Sequence, residues 1–223
     1  MNTTTSPQSI IKVWDPIVRI GHWTLVIAFF TAYFTEEDLL TQHVWAGYIV
    51  GGVIAFRILW GFIGSKHAQF KDFIYSPSTI LAYLKELISR KPQHYLGHNP
   101  AGGIMVIALI IALSGTVFTG LKLYAVEENK GPFASSKLDA PAGTGFISEA
   151  KAEEGNEADE SPEAKGDKQG EDYWEGLHEF FVNFTLLLVV LHIAGVIFSS
   201  YVDKENLLKA MFTGNKESNP NQD

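Results

Sequence analysis

Four apolar stretches, each long enough to cross a bilayer, constrain this 223-residue chain more than any other feature. They run from Ile17 to Phe34, Val44 to Ile63, Ala101 to Leu121 and Leu177 to Ser200. A span needs ~20 predominantly apolar residues. Inside the hydrocarbon every backbone N–H and C=O must be satisfied by the protein itself, which for isolated runs of this length means helices. None of the four shows the polar face that a helix in a water-soluble bundle carries. The expected fold class is an all-α membrane protein, a four-transmembrane-helix bundle. The mean hydropathy of +0.06 conceals this. Between Leu123 and Asp172 stand 13 acidic and 5 basic residues, which account for the whole formal charge of −8, while the rest of the chain holds 12 of each.

Flanking charge orients the spans, because short loops rich in Lys and Arg stay in the cytoplasm. Lys12 and Arg19 flank span one; Lys66, Lys71, Lys85, Arg90 and Lys91 lie between spans two and three; Lys204, Lys209 and Lys216 follow span four. All three groups fall on one side of a four-span chain, and Glu36, Glu37, Asp38 and the acidic segment fall on the other. The expected organisation is a cytoplasmic N-terminal segment (1-16), three spans (17-122) with a cytoplasmic connection (64-100), an acidic periplasmic loop (123-172), the fourth span (173-201) and a cytoplasmic tail (202-223). Within the connection, Ser76-Pro77 reads as a helix start. Ile80, Leu81, Leu84, Leu87 and Ile88 then recur at helical spacing, predicting an interfacial amphipathic helix between spans two and three. Glu127 to Gly170, rich in Ala, Gly, Glu, Lys and Pro, reads as largely disordered or as ordering only on a partner.

The chain has no cysteine, which excludes disulfides, thiolate-held clusters and thioether-linked haem. Metal chemistry falls to the seven histidines: His22, His43, His67, His94, His98, His178 and His192. Ionisable groups inside a membrane are costly and mark functional sites, and imidazole is an axial ligand of haem iron. Span one rises from the cytoplasm, so His22 is near the inner side; His43 and His178 lie at the outer rim, and His192 lies deeper. The depths pair His22 with His192 and His43 with His178. His178 and His192 are 14 residues apart, close to four helical turns, so one helix presents two ligands on one face ~21 Å apart. Two haems b, each between two histidines, would give an electron path across the ~30 Å hydrocarbon core. With both axial positions filled, no site is left open for oxygen.

His43, Gly47 and Gly51 share a helix face, and glycines beside a ligand clear space for a flat macrocycle. Arg57, 14 residues after His43, faces the bundle on the inner side. It either meets a haem propionate, as a buried Arg needs an anion, or snorkels to the headgroups. His67, His94 and His98 read as surface or interface residues of the inner connection. Ser114, Thr116 and Thr119 read as packing or back-bonding residues of a span without ligands. The five tryptophans lie near span ends, as an aromatic belt does.

Val13-Trp14-Asp15-Pro16, Arg19, His22-Trp23, His43-Val44-Trp45-Ala46-Gly47, Phe56-Arg57-Ile58-Leu59-Trp60-Gly61, Gly97-His98-Asn99-Pro100, the last two histidines and Glu205-Asn206-Leu207 together resemble the bacterial cytochrome b561 family and the related b-type cytochrome subunits of nickel–iron hydrogenases. The resemblance covers nearly all of the chain outside the acidic insert, which the family pattern does not require. It implies a four-helix, di-haem electron carrier of the respiratory chain, with His22, His43, His178 and His192 as ligands. The main expectation is electron exchange between the quinone pool and a redox protein. A membrane-anchor subunit of a hydrogenase or other dehydrogenase complex and a superoxide–quinone oxidoreductase are the alternatives, so whether the chain is itself an enzyme stays open. Its partners would be membrane lipid, quinone, a c-type cytochrome steered by the acidic segment or a dehydrogenase subunit, and a second copy of the chain; no nucleic acid is expected.

Overall fold

The computed structural model describes residues 9–36, 39–89, 93, 95, 97–134, 162–203 and 206–218. Three of its helices begin alike, with a short polar residue capping the first free amides and a proline at the first helical position, where its missing N–H costs nothing. Asp15 accepts from the Ile17 amide at 2.8 Å and starts α1 (Pro16–Phe34). Ser76 accepts from the Thr79 amide at 3.2 Å and starts α3 (Pro77–Ile88). Asn99 accepts from the Gly102 amide at 2.7 Å and starts α4 (Pro100–Glu128). The other helices are α2 (Leu40–Ile63), α5 (Pro162–Asp203) and the short α6 (Leu207–Thr213).

Among the described residues four helices are long and apolar enough to span a membrane: Pro16–Phe34, Leu40–Ile63, Pro100–Glu128 and Gly170–Val202. Their outward faces are apolar: Ile20, Ile27, Phe34, Phe62 and Ile63 are each at least two-thirds exposed. In water this would be a liability; against lipid it costs nothing. α1 packs on α2, α2 on α4, and α4 along α5. The core is one apolar layer of Ala28 and Phe29 from α1, Val50 and Ile54 from α2 and Leu113 from α4, with Leu186 of α5 packed against it.

The amphipathic helix between spans two and three is present as α3. It buries Tyr83 and leaves Leu81, Leu84 and Ile88 exposed. Before it, two single 3-10 turns, Lys66–Ala68 and Phe70–Asp72, tuck under the bundle. Phe70 lies so close to Gly61 that a Cβ there would sit 2.2 Å from its ring, and the Phe73 carbonyl approaches Gly103 as closely.

Two features lie outside what the apolar runs predict. First, a pair of antiparallel strands, β1 (Ser9–Lys12) and β2 (Asn215–Ser218), joins the two ends of the chain, with Ser9 opposite Ser218 and Lys12 opposite Asn215. Gly214, at φ 84°, turns the chain from α6 into β2, and its carbonyl takes the amides of both Val13 and Trp14 at 3.1 Å. A side chain there would be strained by the backbone alone and would meet the Trp14 carbonyl and the Arg19 guanidinium. Second, α4 and α5 reach into the acidic segment. α4 continues to Glu128 and closes in a turn through Asn129 and Gly131 to Phe133, whose ring packs on Phe118. α5 begins at Pro162, eight residues before the expected end of the disordered stretch. Proline at the start followed by Glu163, Ala164 and Lys165 is a good helix beginning; low hydrophobicity alone hid it. Residues 135–161 of the acidic segment lie outside the described residues, and so does His94.

Candidate functional site

The bundle brings the four span histidines together two by two. The rings of His43 and His178 have centres 6.2 Å apart, and those of His22 and His192 have centres 6.3 Å apart. A first-row metal bonds an imidazole nitrogen at ~2.0–2.1 Å, and that nitrogen lies ~1.1 Å from the ring centre, so imidazoles on opposite sides of one ion stand ~6.2 Å apart. Rings in edge contact reach similar separations, so spacing alone does not decide. No group of three or more His, Cys, Asp or Glu able to hold an ion exists among the described residues. Two histidines and no third donor suit an iron whose other four ligands come from a macrocycle.

The outer pair is fixed by hydrogen bonds. His43 Nδ1 lies 2.9 Å from the Ala32 carbonyl, and His178 Nδ1 lies 3.1 Å from the Thr116 carbonyl. A carbonyl can only accept, so in each ring Nδ1 carries the proton and Nε2 keeps its lone pair for a metal. Thr119 Oγ1 stands 3.1 Å from His178 Nδ1 as well. Beside the two rings opens a small cleft of about 60 Å³ whose lining includes Gly47, Tyr48, Gly120 and Tyr124. A Cβ on Gly47 would meet nothing within 4 Å, whereas one on Gly120 would press on His178 Cε1 at 2.9 Å. Of the two glycines expected to clear space, Gly47 borders open space, whereas a Cβ on Gly51 would press on Val117 Cγ1 at 3.0 Å; Gly120, which the sequence did not single out, makes room for the His178 ring against α4. Two free Nε2 atoms beside a glycine-bordered cleft are what a flat cofactor would need.

The inner pair is built differently. No hydrogen bond reaches the His22 or His192 ring from the described residues. Arg19 and Trp23, beside His22 on α1, each keep a buried donor without a partner, Nε and Nε1, and so does Arg57 of α2 at Nη1. The other end of Arg19 donates from Nη1 to the Phe212 carbonyl, and Trp23 stacks on Phe212 at 4.5 Å, so α6 and the strand pair brace the N-terminal end of α1. Arg57 sits over the rings of Phe70 and Phe73, 5.4 and 5.7 Å from their centres. It is turned onto the connecting loop, and one guanidinium nitrogen stays unsatisfied. An anionic group would satisfy such donors.

His98 corrects the surface assignment. Its ring lies between Trp14 and Phe73, each 4.7 Å away centre to centre, with Nδ1 buried. Burial, with the Arg57 charge nearby, pushes it down to about 4, so it is neutral at physiological pH. The tight turn through Asn99-Pro100 draws it inward, a long-range effect that loop composition does not reveal. His67 is half-buried and bonds Asp72 at 2.8 Å. Asp15, where α1 begins, is pulled up by partial burial, but the polar groups of Ser65 and Trp60 nearby and the Ile17 amide that bonds it outweigh this and hold its carboxyl below the usual range.

Comparison with known proteins bears on this arrangement. The family described as Prokaryotic cytochrome b561 matches residues 13–214, the whole stretch between the two strands. The chain belongs to that family. A cytochrome of this family is a multi-pass membrane protein with a haem b electron-transfer role, and the four apolar helices agree with it. Three relatives share the name "Probable Ni/Fe-hydrogenase B-type cytochrome subunit". The one from Azotobacter chroococcum mcd 1 is 27% identical over 159 residues, 57% of this chain and 65% of its own length. The one from Azotobacter vinelandii is 27% identical over 53% of this chain and 61% of its own, and that from Rhodobacter capsulatus 25% over 58% and 60%. The b561 chain thus spans a little under two-thirds of the length of these relatives. No solved structure matches it.

Proposed function

We propose that this b561-family chain holds two haems b, one between His22 and His192 and one between His43 and His178, and carries electrons between the quinone pool of the bacterial inner membrane and a redox partner protein. The observation that carries this is the repetition of one motif at two depths: two histidine pairs with ring centres 6.2 and 6.3 Å apart, on opposite sides of a single apolar layer. Haem b, when bound, supplies one-electron chemistry without making bonds to a substrate. The chain's own residues do the rest. His43 and His178 present Nε2 because their Nδ1 protons are held by carbonyls. Gly47 and Gly120 leave room for a macrocycle. Arg57, with an unsatisfied nitrogen on the inner side, meets a propionate. The core layer of Ala28, Phe29, Val50, Ile54 and Leu113 keeps water and protons from following the electron. Both ends of the chain and α3 lie on the cytoplasmic side, where the basic flanks place them.

The test is pyridine haemochrome quantification of the detergent-purified protein. About two haems b per chain, falling to about one in His192→Ala, is expected. Haem content that the substitution leaves unchanged would sink the ligand assignment. The names of the relatives favour a second reading for the partner, in which the chain is the haem-bearing membrane anchor of a hydrogenase. Copurification of a nickel–iron subunit with the tagged chain would establish it, and a chain that reduces quinone from another donor with no such subunit would exclude it.

A further inference from the structure

The two histidine pairs differ in what holds their outer nitrogens, and the difference has an electronic consequence. On α4, Thr119 is 1% exposed, and its hydroxyl lies 2.8 Å from the Gly115 carbonyl and 3.1 Å from that of Thr116. The hydroxyl proton is committed to those carbonyls, so a lone pair of Oγ1 faces His178 Nδ1 at 3.1 Å. The same Nδ1–H meets the Thr116 carbonyl at 3.1 Å. His178 therefore shares one proton between two acceptors, in a place with almost no access for water. Across the cleft, His43 gives its proton to the Ala32 carbonyl. A ligand imidazole whose far N–H is held by an acceptor is a stronger donor to its metal, and second-shell hydrogen bonding is one of the protein's means of setting a haem potential. Extra donation favours ferric over ferrous iron and lowers the potential. At the inner pair the described residues supply no such acceptor. Arg19, one helical turn before His22 on α1, brings a positive charge to that end, which favours the less positive ferrous state.

We infer that Thr119 is a positioning residue for His178, and that through it and the paired carbonyls the outer haem is held at a lower potential than the inner one. Such a difference would favour electron transfer from a haem held by His43 and His178 to one held by His22 and His192. This rests on the di-haem assignment proposed above. Thr119 does not touch the iron; it acts through the ring it holds.

The test is a spectroelectrochemical titration of the purified protein, with low-spin EPR signals and haem content recorded on the same samples. The wild type should titrate in two steps. His178→Ala should lose the lower step, and loss of the upper step instead would overturn the order. Thr119→Val should raise the lower midpoint and shift the corresponding EPR signal while leaving the upper step in place; Thr119→Ser should restore both. A lower midpoint unmoved in Thr119→Val with two haems bound would overturn the role of Thr119. If the valine variant holds only one haem, Thr119→Ala, which removes the hydroxyl without adding bulk, is read by the same two outcomes. A wild type without two haems would contradict the di-haem assignment, and haem content separates that result from the others.

Discussion

The outer and inner histidine pairs are nearly equal in spacing and unlike in everything around them. The outer rings are anchored to main-chain carbonyls that belong to helices, and their cleft is walled by glycines and tyrosines. Among the described residues the inner rings have no such anchors, and Arg19 and Trp23 beside His22 each keep a buried donor without a partner. The two pairs are thus held by different means. Where the backbone around a ring is regular, helix carbonyls orient it. Where α1 begins, the chain ends brace the helix through Phe212 and leave the rings themselves unbonded.

Four substitutions or conditions sharpen that contrast, in decreasing order of effect. Gly120→Val should remove most haem from the outer site, because even a Cβ would sit 2.9 Å from the His178 ring, while the inner site stays loaded. Haem content near one per chain, with the inner EPR signal retained, is the expected result. Acidification should act on the inner side. His98 folds with its pKa lowered from 6.5 to about 4, so the unfolded chain binds a proton more readily between those values. Stability is then full above 6.5 and falls as the pH drops toward 4. His98→Phe, which keeps a ring between Trp14 and Phe73, should flatten the melting temperature across that window. Gly214→Ala forces a left-handed backbone on a residue with a Cβ, at a cost of ~1–2 kcal/mol. Its melting temperature should fall, with protease cleavage appearing first at the chain ends and the outer haem spectrum unchanged. Asp15→Ala removes the cap of α1 at a cost of ~1 kcal/mol, and Asp15→Asn should recover most of it.

Much of the architecture was legible because the bilayer reduces folding to a few strong rules. Uninterrupted apolar runs announce the helices, Ser76-Pro77 announces α3, and depth along each run places the histidines near one another. What escaped depended on contacts between distant parts of the chain. Ser9–Lys12 is four residues long and shows no strand pattern that survives without β2. His98 sits in a polar connection, and only the fold reveals Trp14 and Phe73 on either side of it. Thr116 and Thr119 were expected to bond back to their own helix, and they do, to Ala112 and Gly115. Their second task toward His178 leaves a trace only in the spacing Thr116, Thr119, Gly120, a polar and small edge on an otherwise apolar helix.

The pairing of β1 with β2 also orders events in time. Residues 9–12 are made before all four spans and residues 215–218 after them, so this contact closes a loop around every helix, and such contacts form late. Until residues 212–218 have been made, β1 has no partner, Arg19 has no Phe212 carbonyl and Trp23 has no ring to stack on. Four helices can already be inserted while this corner is still open. The brace around the start of α1 is therefore completed after the spans, and a chain truncated before Gly214 would keep the His43 and His178 pair while lacking that brace.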